Sequence, residues 1–289
     1  MDEKALNDFQ RAQVLTDALP YIQKYYGKTV VVKYGGNAMI NPELKKAVMS
    51  DIILLTLVGV KIVLVHGGGP EISGMLKKLD IESKFVNGLR YTDKQTAEIV
   101  QMVLAGKTNK DLVTLIEVCG GKAVGLCGID GMMIQAEKLN DGNDYGYVGE
   151  ITQIDPKPIK KVLEEDYIPV IATLGVDKQG QIYNINADTA AAEIAAALNA
   201  ENIITLSDIP GLLKDVNDPD SLISEISIDE IDALIESGVI SGGMIPKIKS
   251  CEKAIRSGVK KAVMIDGRIP HSIIIEMLTS EGIGTLMRN

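Results

Sequence analysis

Short apolar runs alternate with amphipathic segments along most of the chain, and the first run lies at residues 29–34. Its three valines at 30–32 are β-branched and continuous, which is typical of a strand buried on both faces. Lys33 follows them, and then Gly35 and Gly36. Ligands bind at the carboxyl ends of strands in open parallel sheets, so this turn is predicted to bind an anion such as phosphate. On this stretch alone, a solvated lysine beside an ordinary turn remains the simpler alternative.

The same pattern recurs at residues 62–65, an apolar run that leads through His66 into Gly67-Gly68-Gly69-Pro70. Pro70 is suited to the first turn of a helix. A strand, a glycine loop and a helix N-terminus in this order predict a second anion-binding loop.

Helices and strands are predicted to alternate through the rest of the chain. Predicted helices begin at Asn41-Pro42 (to 57), at Thr92-Asp93, at Asn109 as a cap (to 119), and at 157–165, 189–198, 228–237, 246–257 and 271–278. Predicted strands lie at 168–172, 202–206, 259–265 and 284–287. This alternation predicts an α/β fold with a mainly parallel central sheet sandwiched between helices.

Three stretches depart from that alternation. Residues 4–26 have apolar positions at helical spacing, beginning with Leu6, and Pro20 predicts a kink in this N-terminal helix. Residues 122–151 are punctuated by glycine and predict antiparallel hairpins, as a lid or a small extra sheet, with a turn at 140–144. Residues 175–183 predict another hairpin. We therefore divide the chain into an N-terminal helix (1–27), an N-terminal lobe (28–199) and a C-terminal lobe (200–289).

Composition restricts the classes of partner. With 39 acidic and 30 basic residues among 289 and a net charge of −9, neither a nucleic acid nor an anionic membrane is expected. Three cysteines without paired spacing indicate neither disulfides nor a zinc site. No apolar run is long enough for a membrane span, so we expect a cytoplasmic protein. With two histidines and no tryptophan, the chemistry must depend on lysine, carboxylate and backbone groups.

Common nucleotide and hydrolase motifs do not account for the glycine loops. Gly106-Lys107-Thr108 resembles the end of a Walker A loop, but Gln101 occupies the position of its first glycine. The chain has no Gly-x-Gly-x-x-Gly motif, which argues against a dinucleotide-binding enzyme. It also has no Gly-x-Ser-x-Gly motif, so we interpret His66 before its glycines as structural.

Six motifs resemble those of the amino-acid kinase superfamily and, within it, the acetylglutamate kinases. They are Val-Lys-Tyr-Gly-Gly-Asn-Ala-Met (32–39), Val-His-Gly-Gly-Gly-Pro (65–70), Asn-Gly-Leu-Arg (87–90), Asn-Ile-Asn-Ala-Asp (184–188), Ser-Asp-Ile-Pro-Gly-Leu (207–212) and Gly-Gly-Met-Ile-Pro-Lys (242–247). They follow the family's order over residues 28–289. The resemblance implies transfer of the ATP γ-phosphoryl group to the γ-carboxylate of N-acetyl-L-glutamate, the second step of arginine biosynthesis. It implies Mg²⁺ bound mainly by phosphates and water, with no metal site built from protein ligands.

The resemblance also assigns roles to individual residues. Lys33 and Lys247 would stabilise the transition state, and Asp188 would orient them. Arg90 would bind the substrate α-carboxylate, Gly68 and Gly69 would donate N–H groups to its reacting end, and Asn184 would hold its acetamido or carboxylate end. ATP would contact Gly35, Gly36, Ser207, Asp208, Gly211, Lys214 and Met244.

Regulation by L-arginine is implied by two further features. Arginine-sensitive members of the family resemble this chain in their N-terminal helix and C-terminal segment, and they form hexamers as trimers of dimers. We therefore expect a homo-oligomer, a dimer or a hexamer. The candidate arginine-binding residues are Tyr21 or Tyr25, His271, Glu276, Glu281 and Gly284.

Other activities of the same superfamily remain alternatives. Aspartate, glutamate and UMP kinases are the nearest rivals, but the length leaves no room for an added domain, and the Tyr-Gly-Gly-Asn-Ala loop fits the acetylglutamate enzymes better. Carbamate kinase and acetylaminoadipate kinase are lower alternatives. A non-catalytic amino-acid sensor of the same fold is disfavoured because Lys33, Asp188 and Lys247 are all present.

Overall fold

The computed structural model describes residues 7–215 and 217–289. The strands of this part are β1 (Thr29–Tyr34), β2 (Lys61–His66), β3 (Phe85–Val86), β4 (Leu89–Arg90), β5 (Ala123–Cys127), β6 (Ile134–Lys138), β7 (Gly149–Ile154), β8 (Ile168–Ala172), β9 (Leu174–Val176), β10 (Ile182–Asn184), β11 (Asn202–Ser207), β12 (Leu212–Leu213), β13 (Leu222–Ile223), β14 (Glu225–Ser227), β15 (Lys261–Asp266) and β16 (Thr285–Arg288).

The α-helices of the same residues are α1 (Asp8–Asp17), α2 (Leu19–Tyr25), α3 (Pro42–Leu57), α4 (Gly69–Lys78), α5 (Lys94–Gln101), α6 (Asn109–Val118), α7 (Lys157–Glu164), α8 (Ala187–Ala197), α9 (Ile231–Glu236), α10 (Met244–Arg256) and α11 (Ser272–Leu278). A π-helical segment, Met102–Thr108, connects α5 to α6. None of the helices in the described residues is both long and apolar enough to span a membrane.

In the described residues, one sheet of eight strands in the order β14-β16-β15-β11-β1-β2-β8-β5 forms the centre of the fold. Adjacent strands are parallel except β15 and β16. On β1, Val31 packs into an apolar core that includes α8 and α10. Val30 and Val32 pack into a second core that includes α3 and α11. The predicted mainly parallel sheet between two helical layers is therefore confirmed.

Capping and proline residues determine the ends of two helices as predicted from the sequence. The Asn41 side chain accepts hydrogen bonds from the backbone of Glu43 and Leu44, so α3 begins at Pro42. The N-terminal helix is broken at Ala18, two residues before Pro20, into α1 and α2. Leu6, at the start of the predicted helix, lies outside the described residues.

The region after residue 122 was predicted only in part. Strands β6, β7, β9 and β10 form a separate four-stranded sheet, and the turn at 140–144 joins β6 to β7, as expected for the hairpins. However, Ala123–Cys127 is not part of a hairpin, because it pairs in parallel with β8 at the edge of the main sheet. Gly125 interrupts its apolar pattern, which concealed this strand in the sequence.

The predicted helix cap at Asn109 was wrong. Gln101, Met102, Thr108 and Asn109 all have helical backbone angles, so a single helix continues from α5 into α6. The Asn109 side chain is buried and bonds to neighbouring strands instead of capping a helix end.

The lobe boundary near residue 199 stays a prediction. Strand β1 pairs with β2 of the N-terminal part on one side and with β11 of the C-terminal part on the other. Lys33 therefore lies at the middle of the sheet, where the two parts meet.

Candidate active site

Two lysines from distant parts of the chain contact one carboxylate at the carboxyl end of β1. Lys33 Nζ lies 2.9 Å from Asp188 Oδ1, and Lys247 Nζ lies 3.0 Å from Asp188 Oδ2. The side chains of Lys33 and Asp188 are 8% and 13% exposed, and that of Lys247 is 30% exposed. The three residues that the resemblance assigned to catalysis are therefore in direct contact.

Asp188 is held by the first turn of α8. Asn186 caps this helix by accepting hydrogen bonds from the backbone N–H groups of Asp188 and Thr189. A carboxylate in a first turn is also stabilised by the helix dipole. Burial would raise the pKa of Asp188, but the charges of Lys33 and Lys247 and their hydrogen bonds outweigh burial and lower it. Asp188 is therefore an anion that orients two cations.

Lys247 reaches this carboxylate from the first turn of α10. The chain enters α10 through Gly242, whose φ of +54° is in the left-handed region that favours glycine. The start of α10 faces the start of α8, since Lys247 in the first turn of α10 contacts Asp188 in the first turn of α8. Lys33 and Lys247 thus contact different oxygens of the same carboxylate.

The four residues predicted to bind the acceptor substrate line one cavity of about 160 Å³, which we call the acceptor cavity after that prediction. These residues are Gly68, Gly69, Arg90 and Asn184. Asn184 donates a hydrogen bond to Thr92 Oγ1 at 3.2 Å. The cavity lies next to the start of α8, since Asn186 and Ala187 also line it.

Arg90 is held rigidly at the wall of this cavity. Its guanidinium donates to the Gly69 carbonyl at 3.0 Å and to Ser73 Oγ at 2.8 Å, and it also contacts Ser83. The group lies over the Phe85 ring at 4.8 Å. Arg90 is 7% exposed and forms no ion pair with the described residues. Burial lowers its pKa, but an arginine stays charged, so a carboxylate ligand would supply the missing anion.

A second cavity, of about 300 Å³, lies on the other side of the two lysines. Lys33, Gly36, Ser207, Asp208, Met244 and Lys247 are among its lining residues. Gly36 has a φ of +69°, and a Cβ there would lie 2.6 Å from Asp208 Oδ1, so a side chain would disturb this wall. Gly35 lies beside Lys33 Nζ.

Three of the residues predicted to bind ATP do not line that cavity, namely Gly35, Gly211 and Lys214. Gly211 lies against Thr285 Oγ1, and Lys214 is exposed. The assignment to ATP of all seven predicted residues, whether or not they line the cavity, stays a prediction.

A larger cleft, of about 760 Å³, borders both cavities. It shares Asn186 with the acceptor cavity and Lys247 with the second cavity. Its far wall includes Asp141, Tyr145 and other residues of the β6–β7 hairpin, which is the predicted lid. Asp188 and Lys247 line this cleft, and Lys33 and Lys247 line the second cavity, so the three residues lie where the cleft borders the second cavity.

The residues predicted to bind arginine lie in different surroundings. Tyr25 OH bonds to Lys261 Nζ at 2.5 Å, and Glu276 accepts the Ile283 N–H at 3.0 Å. His271 Nδ1 instead lies 2.6 Å from Asp51 Oδ1. The remaining three candidates are described by exposure and packing. Tyr21 is half-buried, Glu281 is exposed, and Gly284 packs on the Met264 carbonyl.

In the described ranges, no group of three or more His, Cys, Asp or Glu side chains is placed to hold a metal ion.

Several residues of the site were not identified from the sequence. Asn186 lies in the Asn-x-Asn-x-Asp motif, so its spacing before α8 could have indicated a cap. Ser73, Ser83 and Phe85 surround Arg90, but they lie up to 17 residues from it in the chain and carry no motif. Only the tertiary structure brings them together.

Comparisons with known proteins identify the family. The model of the amino acid kinase family matches residues 28–266. The acetylglutamate kinase of Brachyspira hyodysenteriae (strain ATCC 49526 / WA1) is 57% identical over 281 residues, which is 97% of this chain and 98% of that protein.

Solved structures also match. An N-acetylglutamate synthase from Neisseria gonorrhoeae in complex with coenzyme A and N-acetyl-glutamate has a TM-score of 0.84 and 26% identity, covering 96% of this chain and 63% of that one. The same synthase with coenzyme A and L-arginine has a TM-score of 0.80 and 25% identity, covering 96% and 65%. The chain therefore belongs to the amino acid kinase family and, within it, to the acetylglutamate kinases.

Proposed function

We propose that this protein uses ATP to phosphorylate the γ-carboxylate of N-acetyl-L-glutamate, which yields N-acetyl-L-glutamyl 5-phosphate in the second step of arginine biosynthesis. One observation carries the site assignment: Lys33 and Lys247 both lie within 3.0 Å of Asp188, between a cavity with a buried arginine and a cavity with a glycine turn.

The charges of the reactants explain why two lysines are needed. In the reaction, a γ-carboxylate oxygen of the acceptor attacks the γ-phosphorus, and the bond to the β–γ bridging oxygen breaks with its electron pair leaving on ADP. An anion thus approaches a polyanion, and negative charge spreads over the transferred group in the transition state. Catalysis then consists mainly of positioning and charge stabilisation. Lys33 and Lys247 supply two positive charges, which Asp188 holds in place.

Arg90 orients the acceptor substrate in this proposal. Its planar guanidinium matches the α-carboxylate geometrically, and its contacts with Ser73 and Gly69 keep it from turning away. Asn184 holds the acetamido or carboxylate end. The N–H groups of Gly68 and Gly69 donate to the γ-carboxylate, which places the reacting oxygens toward the lysines.

ATP occupies the cavity of about 300 Å³ beside Gly36, Ser207, Asp208 and Met244. The residues fit a triphosphate, because a glycine turn and two lysines line the same wall. Magnesium, bound mainly by the phosphates and water, would neutralise part of the nucleotide charge.

The decisive experiment measures ADP release with N-acetylglutamate, glutamate, aspartate and N-acetylaminoadipate as acceptors. Turnover with N-acetylglutamate at least tenfold above the other three supports the proposal. Preference for acetylaminoadipate would assign the chain to that kinase, and carbamate would be tested in the same assay. Binding of an acceptor without ADP release would identify a non-catalytic sensor.

We also propose that L-arginine inhibits the enzyme and that the enzyme is a cytoplasmic homo-oligomer, a dimer or a hexamer. Tyr25, Lys261 and Glu276 bring α2, β15 and α11 together, and the charge of Glu276 acts on both of the other side chains. A guanidinium would bind the carboxylate of Glu276. The matching synthase structure with L-arginine supports this ligand.

A further inference from the structure

The helix that begins after Asp93 contains a π-helical segment in a position that the proposed reaction does not explain. In an α-helix, buried positions recur every three or four residues. Here Val103 and Leu104 are buried, and the next buried residues are Thr108 and Asn109, five positions later. The π-helical turn therefore shifts the buried face and turns Asn109 inward. Such turns occur frequently at functional sites.

Asn109 joins three adjacent strands of the main sheet. Its Nδ2 lies 2.8 Å from the Val170 carbonyl on β8, 3.2 Å from the Leu126 carbonyl on β5 and 3.1 Å from His66 Nε2 at the end of β2. Strand β5 has room for the Asn109 side chain only because residue 125 of this strand is glycine. A Cβ on Gly125 would lie 2.0 Å from Asn109 Oδ1.

These contacts fix the orientation of the Asn109 amide. Carbonyl oxygens accept hydrogen bonds, so the group that faces Val170 and Leu126 must be the NH₂. The Asn109 oxygen correspondingly accepts from Lys110 Nζ at 3.1 Å. This NH₂ has two hydrogens for three neighbours, so it cannot bond fully to all of them. A proton on His66 Nε2 would nevertheless face an amide nitrogen that cannot accept it, so this ring nitrogen carries no proton.

The tautomer of His66 follows from that orientation. A neutral imidazole without a proton on Nε2 carries it on Nδ1. His66 Nδ1 lies 2.8 Å from the Gly67 carbonyl, and it can therefore donate a hydrogen bond to it. The ring is fully buried. Burial is also the main reason why the pKa of His66 is lowered to about 4, which keeps the ring neutral.

The Gly67 carbonyl controls the direction of a substrate-binding group. In a trans peptide, the C=O and the following N–H point in opposite directions. With its carbonyl held toward His66, the Gly67–Gly68 peptide directs the Gly68 N–H away from the imidazole. Both glycines line the acceptor cavity, whereas His66 does not.

The π-helical segment supports the loop at a second point. A Cβ on Gly68 would lie 2.6 Å from Leu104 Cδ2, so Leu104 packs directly under this glycine. The segment thus contacts Gly68 through Leu104 and His66 through Asn109.

We infer that Asn109 and His66 are positioning residues of the phosphoryl-transfer reaction: Asn109 selects the Nδ1–H tautomer of His66, and His66 orients the Gly67–Gly68 peptide so that its N–H faces the acceptor carboxylate. This inference rests on the proposed role of the glycine loop in binding the acceptor.

The tautomer can be read directly by NMR, because the chain contains two histidines. In a long-range ¹⁵N–¹H spectrum of the labelled full chain, we expect His66 to show the neutral Nδ1–H pattern without change between pH 6 and 8.5. A His271→Gln variant assigns the two ring systems. An Nε2–H pattern for His66 in the wild type would overturn the inference, whatever the activity is.

A matched pair of variants tests the catalytic consequence. The side-chain amide nitrogen of Asn can occupy the position of the imidazole Nδ1. The side-chain amide nitrogen of Gln lies farther from the backbone and can occupy the position of Nε2. We expect His66→Asn to retain kcat/KM for the acceptor within about fivefold. His66→Gln and Asn109→Leu should lower it by about 10- to 100-fold, with KM for ATP within twofold of the wild type. This is below the loss expected for removing an oxyanion donor completely. Asn109→Leu should also lose the single-tautomer pattern.

Lys107→Gln is the control on the same helical segment, because Lys107 points outward and pairs with Asp111. Equal activity of folded His66→Asn and His66→Gln, or an unchanged folded Asn109→Leu enzyme, would contradict the inference. If Asn109→Leu does not fold, the inference is tested by the activities of His66→Asn and His66→Gln and by the wild-type NMR spectrum. A wild type that releases no ADP with N-acetylglutamate would instead refute the proposed function, and the His66 spectrum would still report on the loop.

Discussion

Lys33 and Asp188 form an ion pair with a separation of 2.9 Å at the centre of the sheet, and both side chains are nearly buried. Such a pair contributes little net stability when its desolvation cost is counted. Its location between two cavities indicates that it instead presets the position of the Lys33 ammonium group.

We therefore expect Lys33→Ala and Lys247→Ala each to lower kcat by roughly 10²–10³, the scale for losing one transition-state donor. Steady-state ADP release measures this effect, with circular dichroism as the test of folding. Lys61→Ala is the control, since Lys61 is an exposed lysine at the opposite end of the neighbouring strand. Near-wild-type turnover of either active-site variant would remove that lysine from the mechanism.

Arg90→Lys should mainly raise KM for N-acetylglutamate, by about tenfold or more, because an ammonium group cannot form the bidentate contact. KM for ATP should change little, since Arg90 lies in the acceptor cavity. Phe85→Leu, which removes the ring below the guanidinium, should cause a smaller rise. A rise in KM for ATP without one for N-acetylglutamate would reverse the assignment of the two cavities.

Gly36→Ala should raise KM for ATP several-fold and leave KM for the acceptor nearly unchanged. The added Cβ would crowd the Asp208 carboxylate, and the left-handed backbone at this position is strained for alanine. Gly180→Ala is the matched control. Gly180 has a similar φ of +86° but no neighbouring atom within 4 Å, and it lies in the β9–β10 turn. Equal kinetic effects of the two variants would show that backbone strain, and not the nucleotide cavity, is responsible.

The lowered pKa of Asp188 predicts a pH dependence of stability. A carboxyl group whose folded-state pKa lies below the ordinary 3.8 stabilises the fold above that pH, and this stabilisation is lost as pH falls through the folded-state value. The difference in unfolding free energy between the wild type and Asp188→Asn should therefore be largest near neutral pH and shrink below about pH 4. Urea unfolding at a series of pH values measures it. A difference that grows on acidification would mean that burial dominates the pKa.

The parts of the fold that were predictable from the sequence are those set by local patterns. The valines of β1, the Asn41 cap and the glycine turn after β2 each depend on a few neighbouring residues. The contact between Lys33 and Asp188 was different, because it was implied by family motifs that lie 155 positions apart. No periodicity indicates such a pairing.

The wrong prediction at Asn109 and the missed strand β5 also have a physical reason. Asn109 resembles a cap because Asn favours helix ends, but the π-helical turn before it and the carbonyl groups of Leu126 and Val170 decide its position. Neither the π-helical turn nor these carbonyl contacts can be predicted from the residues next to Asn109. Gly125 weakens the strand pattern of β5 for the same reason, since its role is to leave room for Asn109.

Deleting residues 1–26 tests the proposed regulation and assembly together. Helix α1 has no buried residue, and Phe9 and Leu15 are 78% and 74% exposed, which suits a helix that packs on another subunit. The deletion also removes Tyr25 from its contact with Lys261. We expect a smaller particle in sedimentation velocity and an activity that no longer falls, or falls much less, with added L-arginine.

The variant Glu276→Gln separates the two effects, because it removes the carboxylate for the guanidinium but leaves α1 in place. It should retain the assembly of the full chain and lose most of the arginine inhibition. Inhibition would then work by differential affinity: arginine would favour an open arrangement in which Lys33 and Lys247 are too far apart to contact one phosphoryl group. A deletion variant of unchanged size that arginine still inhibits would refute both roles of the N-terminal helix. Loss of assembly with inhibition intact would leave that helix with an assembly role and no part in arginine binding.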